Sequence, residues 1–246
     1  GRLRVLSGGK PVGVKLCIGH RREFMFIVKA MLETGITPDF ITVDGGEGGT
    51  GAAPTEMTNS VGTPLRDALI FVNSALIGTG LRDRIRVIAS GKIFSAFHLL
   101  RIIALGADAA NSARGMMFSL GCIQAQACHT GHCPTGVTTQ DPIRQQALVV
   151  PDKAQRVANF HHETLVSLMD MVGAAGLEHP QEITSDHILR RIDANTIAPL
   201  SALLPSITAG VLAPQAATPD LDTAAWPPVF RNFWHRASPE TFKLQA

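Results

Sequence analysis

The chain has 246 residues, of which 45% are hydrophobic and 17% are charged, and its formal net charge at pH 7 is +2. These values describe a globular chain with a sizeable core and exclude a disordered one. The charge balance predicts no nucleic-acid partner. The apolar runs are too short to cross a membrane and no signal peptide is visible, so we expect a cytoplasmic protein with no membrane partner.

Strand and helix patterns alternate through the first half of the chain. Short apolar runs predict strands at 12–18, 40–43, 86–89 and 109–112. Apolar residues at helical spacing predict the intervening helices at 22–34, 64–76 and 95–105. Such repeats predict a parallel α/β fold with right-handed crossovers. Since a TIM (β/α)8 barrel needs eight units, we expect half of one.

The remainder of the chain is expected to add two further regions to this half barrel. Residues 152–175 predict one long helix that ends at Gly176, and beyond Pro199 the composition shifts to Ala, Pro, Thr and Ser. We therefore divide the chain into a half barrel (1–150), a helical extension (151–198) and an irregular tail (199–246). Because the sequence begins without methionine and apparently within an element, we expect a fragment whose other barrel half lies elsewhere.

Three of the four cysteines lie in one Gly/Pro/Thr-rich loop, at Cys122, Cys128 and Cys133. Thiolates this close in sequence can hold an iron–sulfur cluster. A zinc site would need a fourth ligand, which His129 or His132 could supply. A disulfide is disfavoured because three cysteines in the loop leave one unpaired, and simple packing is a third alternative. Spacing alone leaves these alternatives open, although so few cysteines suit a reducing compartment.

Two polar features upstream of this loop are candidates for ligand binding. Lys15 lies among apolar residues on a strand, where an ammonium group is costly unless it is paired or reaches the strand end. Cys17 lies two residues after Lys15, so both side chains point to the same face of the strand. We expect Cys17 to face the barrel interior as a small buried side chain. The segment 45–51 contains five glycines, whose backbone N–H groups can approach a ligand closely, although a tight connection would look the same.

Two loops after the third and fourth strands have the composition of a phosphate-binding site. They are Ser90-Gly91-Lys92 and Ser112-Ala113-Arg114-Gly115. If these strands are the last two of a barrel, their loops form the phosphate cradle of that fold. The chain would then be the C-terminal half. The adjacent His161 and His162 point about 100° apart on a helix, so we expect no metal site there.

Several motifs together resemble one known family. The loop reads Cys-x5-Cys-His-x3-Cys-Pro-x-Gly-Val-x-Thr-Gln, and it is preceded in order by VGVKL (12–16), GGEGGTGAAP (45–54), GLRDRIRV (80–87) and ALGAD (104–108). This set resembles the FMN-binding domain of the glutamate synthase family. The segments NFHHET and AAGLEHPQEIT are similar to shorter related proteins that lack a glutaminase domain.

The resemblance implies cofactors and residue roles. It implies FMN, and a [3Fe-4S] cluster held by Cys122, Cys128 and Cys133. Lys15 would lie at the N1/O2 edge of the flavin, and Glu47 would orient an amino or imino group of the substrate. The residues implied to bind the flavin are Lys15, Gly48, Gly49, Ser90, Gly91, Lys92, Ala113, Arg114 and Gly115. The large synthases have Asp-Gly-Gly and Gly-Thr-Ala at the two phosphate loops, so the positive charge here is higher.

The resemblance also implies a reaction and its partners. Electrons from ferredoxin or an NAD(P)H-linked subunit would pass through the cluster to FMN. The flavin would then reduce 2-iminoglutarate, formed from 2-oxoglutarate and ammonia, to L-glutamate. A glutaminase subunit is one source of ammonia. The alternatives are an N-methylglutamate synthase-type subunit that uses methylamine, and a non-catalytic iron–sulfur electron-transfer subunit. A zinc-stabilised module without redox chemistry is a third.

Overall fold

The computed structural model describes residues 1–47, 57–58, 60–204, 207–212 and 227–239. Its centre is a parallel sheet of four strands in the order β1-β2-β3-β4, with helices between them. The predicted α/β fold with a parallel sheet is therefore confirmed. The strands are β1 (Gly13–Cys17), β2 (Phe40–Asp44), β3 (Arg86–Ser90) and β4 (Ala109–Asn111).

Capping residues mark the ends of several helices. In α2 the side chains of His20 and Glu23 form a capping box, and Gly35 ends the helix in the left-handed conformation. The helices are α1 (Arg2–Leu6), α2 (Arg21–Thr34), α3 (Leu65–Gly78), α4 (Ala96–Ala104), α5 (Arg114–Leu120), α6 (Pro142–Gln145), α7 (Val150–Ala174), α8 (Leu200–Leu203) and α9 (Pro228–Arg236). Across the described ranges, we find no helix that combines the length and apolar character needed to span a bilayer.

The two faces of the sheet differ because successive side chains alternate along each strand. Ile41, Val43, Val87 and Ala89 share one face, and all four are fully buried. They form the main core with apolar residues of α2 and α3, such as the fully buried Val28 and Leu69. This is the helical face, and its burial supplies the main driving force for folding of the parallel sheet.

The opposite, inner face carries polar side chains. Lys15 and Cys17 of β1 lie on it and are exposed. The expectation that Cys17 is a small buried side chain is therefore wrong, although its predicted parity with Lys15 is right. The difference arises because burial of an inner-face residue depends on a cover, and the described neighbours Gly46 and Gly62 lie against the Cys17 sulfur without a side chain to cover it.

The amino-terminal edge of the sheet is held by two equivalent aspartates. Asp39, just before β2, accepts hydrogen bonds from the Val12 backbone N–H (2.6 Å) and from Arg4 (2.7 Å). Asp108, just before β4, accepts them from the Val87 backbone N–H (2.7 Å) and from Arg82 (2.8 Å). Each aspartate thus joins its own strand to the preceding one.

The long helix α7 packs against α4 and α5 on the outside of the β/α units. A second core cluster forms here, and it joins α4 to Leu168 and Val172 of α7 and to Ile183 and Ile188. Three-residue 3₁₀ turns follow α7 at Pro180–Glu182 and Ser185–His187. An antiparallel hairpin then pairs β5 (Leu189–Arg191) with β6 (Ile197–Pro199).

The last segment is more regular than its composition predicts. Residues 199–246, expected to be irregular, contain helices α8 and α9. Phe230 of α9 is 1% exposed and stacks on Phe71 of α3, with ring centroids 5.4 Å apart. Lys29 of α2 donates to the Ala237 carbonyl at 2.9 Å. Tertiary contacts with α2 and α3 therefore order α9 despite its proline-rich start.

Candidate functional site

The carboxyl-terminal edge of the sheet aligns the last residues of all four strands. Cys17, Asp44, Ser90 and Asn111 are register partners across β1 to β4. In a parallel sheet such residues point to the same side, which here is the inner face. The loops that follow these strands therefore meet above one row of polar side chains, in the position where β/α proteins bind ligands.

Lys15 forms an ion pair with Asp44 on this inner face. The Lys15 side chain is 59% exposed, whereas that of Asp44 is 28% exposed. Asp44 also accepts a hydrogen bond from the backbone N–H of Gly46 at 3.0 Å, which fixes its orientation. The sequence predicted a strand at 40–43 and no role for Asp44, which directly follows it. Asp44 lies two residues beyond Thr42, the register partner of Lys15, and therefore on the same face of the sheet. This position at the end of a strand was the feature of the sequence that could have predicted the ion pair.

Glu47 folds back over the ends of β2 and β3. Its Oε1 accepts a hydrogen bond from the Leu65 backbone N–H at 3.4 Å, whereas its Oε2 is buried and has no hydrogen-bond partner among the described residues. A Cβ atom at Gly91 would lie 2.3 Å from Oε2. Gly91 therefore makes room for this carboxylate. The predicted flavin-binding residues Gly48 and Gly49 lie outside the described residues.

The two predicted phosphate loops are neighbours in the structure. Ser90 ends β3, and its carbonyl accepts the Gly45 N–H at 2.9 Å. Ser112 donates its hydroxyl proton to the Ile93 carbonyl at 2.7 Å, which ties the loop after β4 to the loop after β3. Gly91 (φ 149°) and Lys92 (φ 47°) both adopt positive φ angles. This backbone conformation is rare for a lysine and is typical of functional loops.

The second loop leads directly into α5. Ala113 is the residue before the first turn, and Arg114 begins the helix. Gly115 is buried, and a Cβ atom there would lie 2.9 Å from the Ser112 hydroxyl and 3.2 Å from the Phe160 ring. A side chain at position 115 would therefore separate α5 from α7 and displace the loop.

The cysteine loop begins where α5 ends, at Gly121 in the left-handed conformation. Cys122, Cys128 and Cys133 all line one small cavity. Between them, Gln124 (φ 56°) and Gln126 (φ 55°) adopt positive φ angles that non-glycine residues rarely take. The loop thus accepts backbone strain in a conformation that places the three cysteines around one space.

Cys133 is buried and lies beside two threonines. Its burial raises the pKa, but hydrogen bonds from Thr135 and Thr138 outweigh this effect and lower the pKa of Cys133 to about 6. The Thr135 hydroxyl lies 3.4 Å from the sulfur. Cys133 is therefore largely a thiolate at neutral pH, which is the form that binds metals.

The fit to a metal centre depends on the type of centre. Over the described ranges, no three His, Cys, Asp or Glu side chains lie close enough to hold a single metal ion. In a trinuclear cluster each thiolate binds a different iron, so the sulfur atoms lie further apart than around one ion. His129 and His132 are exposed and do not line the cysteine cavity. The donor set of three thiols thus fits a cluster better than a zinc site that uses either histidine.

A family model described as "Conserved region in glutamate synthase" matches residues 1–178. The chain belongs to the glutamate synthase family. The expected membership is thereby confirmed. The match includes the four-stranded parallel sheet, both predicted phosphate loops and the cysteine loop.

Curated relatives in this family extend beyond the chain. The "Glutamate synthase large subunit-like protein YerD" of Bacillus subtilis is 43% identical over 197 residues, which cover 80% of this chain and 38% of the relative. The "Archaeal glutamate synthase [NADPH]" of Archaeoglobus fulgidus is 34% identical and that of Methanocaldococcus jannaschii is 36% identical. Each covers 68% of this chain, which in turn covers 32% of each relative. The chain thus spans about a third of the length of these glutamate synthase relatives.

Solved structures give a much weaker likeness. A flavocytochrome b2 variant with pyruvate bound overlaps 89% of this chain and 45% of its own, at 14% identity and a TM-score of 0.43. A likeness of this strength supports no conclusion about ligand or activity.

Proposed function

We propose that this member of the glutamate synthase family is a glutamate-forming oxidoreductase built on half of a (β/α)8 barrel. It would use FMN and a [3Fe-4S] cluster to reduce 2-iminoglutarate, formed from 2-oxoglutarate and ammonia, to L-glutamate. Ferredoxin or an NAD(P)H-linked subunit would supply electrons, and a glutaminase subunit is a source of ammonia. The family match over residues 1–178 carries the proposal.

Ser90, Gly91, Lys92 and the loop 113–115 are the proposed holders of the flavin phosphate. The positive φ angles at Gly91 and Lys92 and the tie from Ser112 to Ile93 fit a loop that wraps an anion. Lys92 and Arg114 add positive charge, which compensates the charge of a phosphate group. Bound FMN supplies hydride-transfer chemistry, and a bound cluster supplies one-electron chemistry.

Lys15 would stabilise negative charge at the flavin edge, since its ammonium group projects from the inner face while Asp44 orients it. Glu47 would receive an N–H group of the substrate on its buried Oε2, which has no partner among the described side chains and backbone groups. An unsatisfied buried carboxylate oxygen costs free energy, and a ligand that donates a hydrogen bond removes this cost. Gly48 and Gly49 are proposed to approach the flavin through their backbones.

Cys122, Cys128 and Cys133 are the proposed cluster ligands, and the remaining cysteine provides a control. Cys17 lies on the inner face of β1 rather than in the cysteine cavity. After anaerobic purification or reconstitution, we expect iron and sulfide in the ratio of a [3Fe-4S] cluster, with an EPR signal in the oxidised state. Cys128→Ser should lose iron, whereas Cys17→Ser should retain it.

Flavin content and glutamate formation with ammonia or with methylamine complete this experiment. Ammonia-dependent glutamate formation supports the main proposal, and a preference for methylamine would favour N-methylglutamate synthesis instead. Iron without catalysis in the complete natural polypeptide would indicate an electron-transfer subunit. Stoichiometric zinc without iron after anaerobic reconstitution would contradict the cluster assignment.

A further inference from the structure

A second candidate binding site lies on the other side of the sheet from Lys15. It is a cavity of about 600 Å³ on the outer surface of α3 and α4, where hairpin β5–β6 and helix α8 form the remaining walls. Its volume falls within the range of small-molecule sites. None of the residues assigned to the flavin or the cluster lines it.

Positive charge dominates this cavity. Four arginines line it against one carboxylate, that of Asp67. The arginines are Arg66, Arg101, Arg190 and Arg191. Among the described residues none of the four forms a salt bridge, although Arg191 donates to the Ala194 carbonyl at 3.1 Å. By contrast, Arg4 and Arg82 at the amino-terminal edge are paired with aspartates. This cavity therefore gathers positive charge that the described part of the chain does not neutralise.

Arg101 is the least satisfied of these side chains. Its Nε atom is buried and has no hydrogen-bond partner in the described ranges. Burial and the nearby Arg66 guanidinium both lower the pKa of Arg101. The guanidinium carbon lies 6.0 Å from the centre of the Phe97 ring, so an aromatic face supports it on one side. A half-buried guanidinium whose Nε lacks a partner is costly, and a bound oxyanion would remove that cost.

The rest of the wall is apolar. Ile70, Leu105, Ile188 and Leu200 contribute side chains from α3, from the end of α4, from the segment before β5 and from α8. A ligand here would place charge against the arginines and a carbon skeleton against the aliphatic side chains. Inorganic ions satisfy only the first of these requirements.

We propose that this cavity binds a small organic anion with at least two negative charges, carried by phosphate or carboxylate groups, which Arg101 and Arg66 hold while its carbon skeleton packs against the apolar wall. Guanidinium groups bind both kinds of oxyanion in bidentate fashion, so the chemistry is shared between the two sources. The site is separate from the proposed flavin site and does not depend on the proposed reaction. Its occupation would connect the hairpin to α3 and α4.

Isothermal titration calorimetry of the purified protein tests this proposal. One series contains ADP, with pyrophosphate as an inorganic comparison that should bind more weakly, and the other contains citrate and succinate. We expect saturable binding in at least one series, and the series that binds identifies the source of the oxyanion. Arg101→Met should weaken that binding by about tenfold or more, because a charge-assisted hydrogen bond is lost. Arg101→Lys should retain part of the affinity, since lysine keeps the positive charge but cannot form the bidentate hydrogen bonds of a guanidinium group.

Arg156→Met is the matched control, because Arg156 is an exposed arginine of α7 that does not line the cavity. It should leave the affinity unchanged. The unfolding midpoint of Arg101→Met without ligand should equal or exceed that of the parent, since an unsatisfied buried group is removed. Absence of binding in both series would overturn the proposal, as would equal losses of affinity in Arg101→Met and Arg156→Met. An affinity that Arg101→Met does not change would overturn it as well.

Discussion

The two edges of the central sheet use charged residues in opposite ways. At the amino-terminal edge, Asp39 and Asp108 each accept a backbone N–H and an arginine N–H. At the carboxyl-terminal edge, Glu47 keeps a buried oxygen without a described partner, and Gly91 and Lys92 adopt positive φ angles. At the amino-terminal edge, groups of the chain itself satisfy the hydrogen-bonding capacity of the carboxylates. At the carboxyl-terminal edge, part of that capacity has no partner among the described residues.

This difference follows from what each edge does in a β/α protein. Ligands bind at the carboxyl ends of parallel strands, so groups there must keep hydrogen-bonding capacity for the ligand. The amino ends carry no such demand and can form a closed network that stabilises the fold. Substitutions at the two edges should therefore separate stability from activity.

The largest expected effect is on stability at the amino-terminal edge. Arg82 donates to Asn73 at 2.8 Å, to the Gly106 carbonyl at 3.0 Å and to Asp108 at 2.8 Å. Arg82→Met should lower the free energy of unfolding by about 3 kcal/mol, because it removes these hydrogen bonds and leaves the largely buried Asp108 carboxylate without its nearest cation. The measurement is urea unfolding.

Arg84→Met provides the control for this change. Arg84 is exposed, and its guanidinium group donates to the Thr37 hydroxyl at 3.5 Å. Its loss should change the free energy of unfolding by less than about 0.5 kcal/mol. Similar losses in both variants would mean that the edge network contributes no special stability.

The second effect is on activity at the carboxyl-terminal edge. Glu47→Gln keeps the shape of the side chain but removes the charge of the oxygen that lacks a partner. We expect the free energy of unfolding to change by less than about 1 kcal/mol, while glutamate formation falls by about tenfold or more, as for the loss of a hydrogen bond to a charged group. Steady-state kinetics and urea unfolding test this pair of outcomes. A stability loss like that of Arg82→Met would remove the contrast between the edges.

The smallest effect concerns the pH dependence of the amino-terminal edge. Hydrogen bonds from Arg4 and from the Val12 N–H hold the pKa of Asp39 below its ordinary value. Its carboxylate therefore stabilises the fold above the unfolded-state pKa of about 3.9, and this stabilisation is lost as the pH falls through the folded-state pKa. Arg4→Met should raise the folded pKa and make the loss of stability in acid shallower. An NMR titration that leaves the Asp39 pKa in place would refute this assignment.

The sequence predicts the β/α units well because local patterns specify them. Apolar runs and helical spacing are properties of neighbouring residues, and α2 (Arg21–Thr34) matches its predicted range of 22–34 to within one residue. The exposure of Cys17 and the order of α9 could not be predicted in this way. Cys17 depends on what covers the inner face, and α9 depends on contacts between Phe230 and the distant Phe71. Both are properties of tertiary structure.

The same distinction applies to the candidate site. Glycine-rich loops after strands and clustered cysteines are visible as local composition, so Gly91 and Cys133 are found by reading the chain. The ion pair of Lys15 with Asp44 and the unpaired oxygen of Glu47 require the register of two strands and the path of a loop. The arginine cavity likewise combines α3, α4 and a hairpin far along the chain.

The docking of α9 also affects the order in which the molecule can form during synthesis. Phe71 emerges from the ribosome early, but its stacking partner Phe230 emerges late. Domains form from the amino-terminal end as translation proceeds, so the β/α units around Phe71 form while the aromatic surface of α3 is not yet covered by α9. The nascent chain therefore passes through a long aggregation-prone interval, and binding of a chaperone to this surface would protect it until α9 arrives.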